Sequence, residues 1–118
     1  MMDVHVPAGW PEAVAPPGSE DFETSAVAWM LDELVPYLRT DPVRRYPKIL
    51  AVIASHIAAG AVQGARDGFR TVRTELDEAV PPHAVDEARR AYLDEGRRLA
   101  AAAKAADLVK RALLGEAV

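Results

Sequence analysis

The sequence predicts an all-α protein: a long antiparallel helical hairpin, a shorter N-terminal helix and a proline-rich extended arm, with a dimeric helical bundle as the assembly it allows. Three observations carry this. After Pro47 no proline appears until Pro81, so the 33 residues from Pro47 to Ala79 can run as one helix. Pro81-Pro82 interrupts it with a tight reversal, and a second long stretch follows with a seven-residue apolar repeat. The chain has 118 residues, half of them apolar, enough for one core in one domain.

Residues 1–18 form the arm. Pro7, Pro11, Pro16 and Pro17, with Gly9 and Gly18, exclude helix over most of this length. Val4, Val6, Trp10 and Val14 give the arm apolar anchors, and Trp10 is expected to dock on the body or on a second subunit. The single helical domain is expected over residues 19–118.

The first helix is predicted over 20–35. Ser19 offers a capping hydroxyl, and Glu20, Asp21 and Glu23 bring negative charge to the positive end of the dipole. Phe22, Ala26, Trp29, Met30 and Leu34 recur at helical spacing, and Pro36 ends the run. Asp41-Pro42 signals a short helical turn near 42–46, and Pro47 a restart. The second helix is then predicted over 47–79, about 50 Å long. Pro82 opens the third, predicted over 82–114. Lys110 and Arg111 suit its C-terminal end, and Gly115 offers a stop. Val85, Tyr92, Leu99, Ala106 and Leu113 recur every seven residues, as do Ala88, Glu95, Ala102 and Val109, with Glu95 the polar exception.

Gly60, Gly64 and Gly68 are the most specific feature. Each costs roughly 0.5–1 kcal/mol against alanine in a helix interior, so some close approach is expected to offset the loss. Four-residue spacing puts the three in a nearly straight stripe. Folding about Pro81-Pro82 sets Gly60 level with Ala102 and Ala103, Gly64 with Arg98 and Leu99, and Gly68 with Asp94 and Glu95, with Gly96 nearby. Packing within the hairpin and packing between subunits both fit the stripe. Trp10 and Trp29 join the packing set, and a first helix of ~22 Å cannot cover two of ~50 Å. A homodimer is the expected assembly.

Chemistry is thinly signalled. His56 falls near Asp107 in the hairpin register, an arrangement open to acid–base use or, more simply, a structural pair. Arg66, Asp67, Arg70 and Arg73 fall opposite Arg89, Tyr92, Asp94 and Glu95, and the first reading is an ion-pair ladder that fixes register. A rival reading gathers His56, Arg66, Arg70, Tyr92, Glu95 and Arg98 at an anion or small-ligand pocket. His5 and His83 add no metal pattern, and no catalytic residue, metal or cofactor is assigned.

A net charge of −4 and a pI near 5.3 disfavour nucleic acid as a partner. Cysteine is absent, which removes disulfides and thiolate chemistry and suits a reducing cytosol. Met1 to Val6 lacks the cationic start of a secretory signal. Ile49 to Ala65 is uncharged but shorter than the ~20 apolar residues of a bilayer span, so a buried bundle helix is expected rather than a membrane segment. Cytoplasmic location follows as an expectation.

Gly9-Trp10-Pro11, Pro16-Pro17-Gly18 and Arg44-Arg45-Tyr46-Pro47, in an Ala/Arg/Val-rich setting, resemble the uncharacterised small helical proteins of high-GC actinobacterial genomes. The resemblance implies a bacterial cytosolic protein and brings no activity with it. The functional expectation is a non-enzymatic helical interaction or regulatory protein that self-associates, with a protein partner possible and a ligand-binding helical protein, or an enzyme, as the alternative.

Overall fold

A computed structural model of the chain describes residues 6–118. It is all-helical, with 73% of residues in helix and no strand among the described residues. Helix α1 spans Phe22–Trp29, α2 Pro47–Leu76 and α3 Pro82–Leu113. His5 and Val4, named in the sequence reading, lie outside the described residues.

Each boundary has a local cause. Helix α1 begins two residues later than expected, and Ser19 does not cap it. Asp21 occupies the cap position without a side-chain bond, while the Ser19 carbonyl accepts from the Phe22 N–H in a preceding turn. The helix then widens into a π turn over Met30–Leu34, where the Val35 N–H donates to the Met30 carbonyl at 2.9 Å. A residue before proline is driven out of the α region, and Val35, at φ −135° ahead of Pro36, leaves the helix there. Two 3₁₀ turns follow, Pro36–Leu38 and Pro42–Arg45, the second capped by the Asp41 carboxylate accepting from the Val43 N–H at 2.8 Å. Pro47 occupies the first position of α2, where its missing N–H costs nothing.

Helix α2 runs without a break through its glycines and ends at Leu76, three residues short of expectation, because Asp77 leaves helical geometry at ψ 134° and Glu78 takes a positive φ of 47°. Pro82 opens α3. Its far end closes on Gly115 at φ 85°, whose N–H donates to the Ala112 carbonyl while the Glu116 N–H reaches the Arg111 carbonyl. These paired bonds satisfy carbonyls that a helix end otherwise leaves open.

The core gathers at one end of the hairpin. Met30 and Val35 from the first segment meet Leu50, Ala51 and Ala54 of α2 and Ala106, Val109 and Leu113 of α3. The arm joins this cluster. Val14 is buried, the Trp10 indole N–H donates to the Val14 carbonyl at 2.9 Å, and the Trp10 and Phe22 rings lie 5.9 Å apart. Ser25 Oγ accepts from the Ala15 N–H and donates to the Phe22 carbonyl, tying arm to helix. Among the described residues no third helix packs on the hairpin toward Pro81-Pro82, and only Ala65, Val72 and Val85 are buried there.

The resulting body is a slab of 59 × 35 × 19 Å with a radius of gyration of 17.5 Å. A compact chain of this length has a radius near 13–14 Å. Its accessible surface is 7848 Å², whereas a compact monomer of 12.7 kDa exposes about 6200 Å². Ile49, Val52, Ile57, Leu93 and Leu114 are among the large apolar side chains left exposed.

Candidate functional site

Successive four-residue steps along a helix advance by about 40° rather than closing on themselves, so a row of glycines at this spacing winds around the axis. Gly60, Gly64 and Gly68 therefore do not share one environment. Gly68 has turned toward α3, where a Cβ would run into the Tyr92 ring, with the hydroxyl oxygen 2.8 Å away. Gly60 and Gly64 have nothing within 4 Å of a Cβ position. The expected contacts of Gly60 with Ala102 and Ala103, and of Gly64 with Arg98 and Leu99, do not form. Gly96 fits the hairpin seam, a Cβ there lying 4.0 Å from that of Ala65.

Around the two open glycines lies an uncharged apolar strip. Ile49, Val52, His56, Ile57, Gly60 and Gly64 are all exposed, Ile49 by 49% and Ile57 by 47%. The opposite side of the same helix supplies Leu50, Ala51, Ala54, Ala58 and Ala65 to the interior. Helix α2 is thus apolar on both faces and covered on one. It includes an 18-residue window of mean hydropathy 1.4 and is long and apolar enough, by length and composition, to cross a membrane.

His56 stands on this outward strip, not beside Asp107, whose carboxylate instead takes the Lys110 ammonium at 3.3 Å. The hairpin register that paired them by count ignored which way each side chain leaves its helix.

The ion-pair ladder is also redrawn. Arg70 pairs with Asp67, Arg97 with Asp94 and Arg98 with Glu95, each three residues along the same helix. Among the described residues only Arg73–Asp86, at 3.5 Å, crosses the hairpin. Exposed pairs of this kind contribute little, about 0–1 kcal/mol. The Arg98 hydrogen bonds to Glu95, and behind them its charge, hold the Glu95 carboxyl below its ordinary range. The heptad of α3 is buried at both ends, at Val85 and at Ala106, Val109 and Leu113, and opens in the middle at Tyr92 and Glu95.

That opening leaves a groove of about 580 Å³ between α2 and α3. Val62, Ala65, Phe69, Leu93, Gly96 and Ala100 give it an apolar lining, and Gln63, Arg66, Arg70, Tyr92 and Arg97 the polar part. The Arg89 guanidinium lies 4.6 Å from the centre of the Phe69 ring and holds that side chain in place. Of the six ligand-site candidates, Arg66, Arg70 and Tyr92 come together here. His56, Glu95 and Arg98 do not line it, and Arg98 faces a smaller cleft of about 370 Å³ between the arm, Trp29, Glu33 and α3. Phe69, Leu93 and Arg97 were missed. Their signal was present in the three- and four-residue spacing of Val62, Arg66 and Phe69 against that of Leu93, Arg97 and Ala100.

Trp29 is buried in the core and Trp10 packs on Phe22, so both tryptophans hold the subunit together. Among the described residues no group of three or more acidic or histidine side chains gathers as a metal site. No family model matches the chain, and neither a curated protein nor a solved structure matches it.

Proposed function

We propose that the protein is a non-enzymatic helical interaction protein that works as a homodimer, joined through the outward strip of α2. The observation that carries this reading is the pair Gly60 and Gly64, where a Cβ would meet nothing within 4 Å beyond the helix's own backbone. Two such glycines cost roughly 1–2 kcal/mol of helix stability. Nothing inside the subunit uses the space. A second backbone or side chain does.

The surface supports the same reading. The elongated chain exposes about 1600 Å² more total surface, polar and apolar together, than a compact monomer of its mass. Large contiguous apolar patches are rare on monomers. Size-exclusion chromatography with light scattering tests the proposal: the native chain is expected at twice 12.7 kDa. A monomer at high micromolar concentration overturns it.

A second reading rests on the groove, whose lining carries Arg66, Arg70 and Arg97 and no carboxylate. An anion with an apolar body, such as a medium-chain fatty acid, matches an apolar lining with cations at its edge. Thermal shift with decanoate reads this out, since a ligand at 100 times its dissociation constant adds about 2.7 kcal/mol of stability. A shift lost in Arg66→Ala supports the reading; no shift at saturating decanoate removes it.

A further inference from the structure

The outward strip of α2 is graded in size along its length. Bulky β-branched side chains, the exposed Ile49, Val52 and Ile57 and the half-buried Ile53, occupy its N-terminal part, and Gly60 and Gly64 its C-terminal part. A strip of this kind fits itself in one direction only. Laid parallel on a second copy, isoleucine meets isoleucine and glycine meets glycine, so one end is pushed apart and the other is left hollow. Laid antiparallel, each bulky end covers a hollow one. Resting on the self-association proposed above, we infer that two copies pair α2 to α2 in antiparallel fashion about a two-fold axis between His56 and Ile57.

The register follows from the sizes. With the axis there, Ile49 of each copy sits over Gly64 of the other, and Ile53 over Gly60. These residues, with His56 and Ile57, fall within about 50° of one direction on the helix, so one contact line takes them all. A two-fold contact of this kind is closed and uses the same patch twice. Antiparallel pairing also opposes the two helix dipoles, whereas parallel pairing stacks like on like.

A membrane is the other apolar environment that the strip could meet. The second copy is favoured because α2 is pinned by its inner face, where Leu50 and Ala54 are fully buried against α1 and α3. Crossing a bilayer requires abandoning that core, whereas pairing requires nothing to move.

The absence of cysteine makes the direction directly measurable. Ile49→Cys and Gly64→Cys are prepared separately, each at an exposed position, with circular dichroism to verify the fold. Under mild oxidation an equal mixture of the two is expected to form a disulfide-linked dimer at least ten times faster than either variant alone. Rapid linking of Ile49→Cys with itself overturns the antiparallel arrangement while self-association stands. No linking in any sample, with the native chain still dimeric by light scattering, overturns this face as the interface. A native chain that is monomeric in solution, or that sediments with phosphatidylethanolamine–phosphatidylglycerol vesicles as a monomer, overturns both proposals. Gly60→Leu gives an independent reading: a Cβ there meets nothing within 4 Å and the position is exposed, so helix content is expected to be retained while the dimer dissociates at least tenfold more readily.

Discussion

A glycine inside a helix weakens it unless something uses the missing side chain, and the three glycines of α2 meet that condition differently. At Gly60 the space is open, so Gly60→Ala is expected to raise the stability of the free subunit by about 0.5–1 kcal/mol through backbone entropy alone. At Gly68 the same methyl displaces the Tyr92 ring from one wall of the groove. Gly68→Ala is therefore expected to gain less than Gly60→Ala, or to lose. Urea denaturation at low protein concentration measures both, and equal gains at the two positions would show that the Tyr92 contact has no weight. A second residue-scale expectation concerns Glu95. Its carboxyl is held low by Arg98, so the pair contributes above the unfolded carboxylate pKa, and the contribution disappears as pH falls through the lower folded value. Carboxyl NMR should show Glu95 titrating below an ordinary glutamate in the native chain and returning to the ordinary range in Arg98→Ala. An unchanged midpoint in that variant refutes the assignment.

The elements were legible in the sequence because prolines and their neighbours punctuate it. Pro36, Pro42, Pro47 and Pro82 each act locally, fixing φ or excluding α geometry one residue earlier, and local effects survive whatever the tertiary context does. What was not legible depends on rotation about a helix axis. Counting residues back from Pro81-Pro82 gives axial level but not facing direction, and this is why His56 was set beside Asp107 and Gly60 beside Ala102. The crossing ladder failed for a related reason: Arg70, Arg97 and Arg98 each find an acid three residues away on their own helix, reached at smaller entropic cost than one across the seam. The arm is where element-scale packing gives a testable magnitude. Trp10→Ala removes the indole bond to the Val14 carbonyl and the contact with Phe22. A fully buried tryptophan costs about 3–5 kcal/mol on truncation; for this half-buried one about 2 kcal/mol is expected. Limited proteolysis should then cut within residues 7–18 faster than in the native chain. Unchanged stability and cleavage would mean that the arm lies on the body without holding to it.

At the scale of the molecule, a slab two helices deep has a core at one end only, and the other end of the hairpin is held by little more than its own seam. Stability of such a chain should not be a property of the subunit alone. If two copies unfold to two free chains, dilution favours the unfolded side by mass action, and each tenfold change in concentration is worth about 1.4 kcal/mol per dimer. With an unfolding entropy of about 2.1 cal/mol/K per residue near the midpoint, that free energy corresponds to roughly 2–3 °C in Tm for a dimer of two such chains. Calorimetry or thermal circular dichroism from 2 to 200 μM, two tenfold steps, is therefore expected to show Tm rising by about 5 °C. Gly60→Leu, which fits the subunit but blocks the partner, should flatten that dependence and bring the midpoint to the value of the native chain at high dilution. A native Tm that does not move with concentration would mean that the subunit is stable without a partner, and the open glycines of α2 would then need a different occupant.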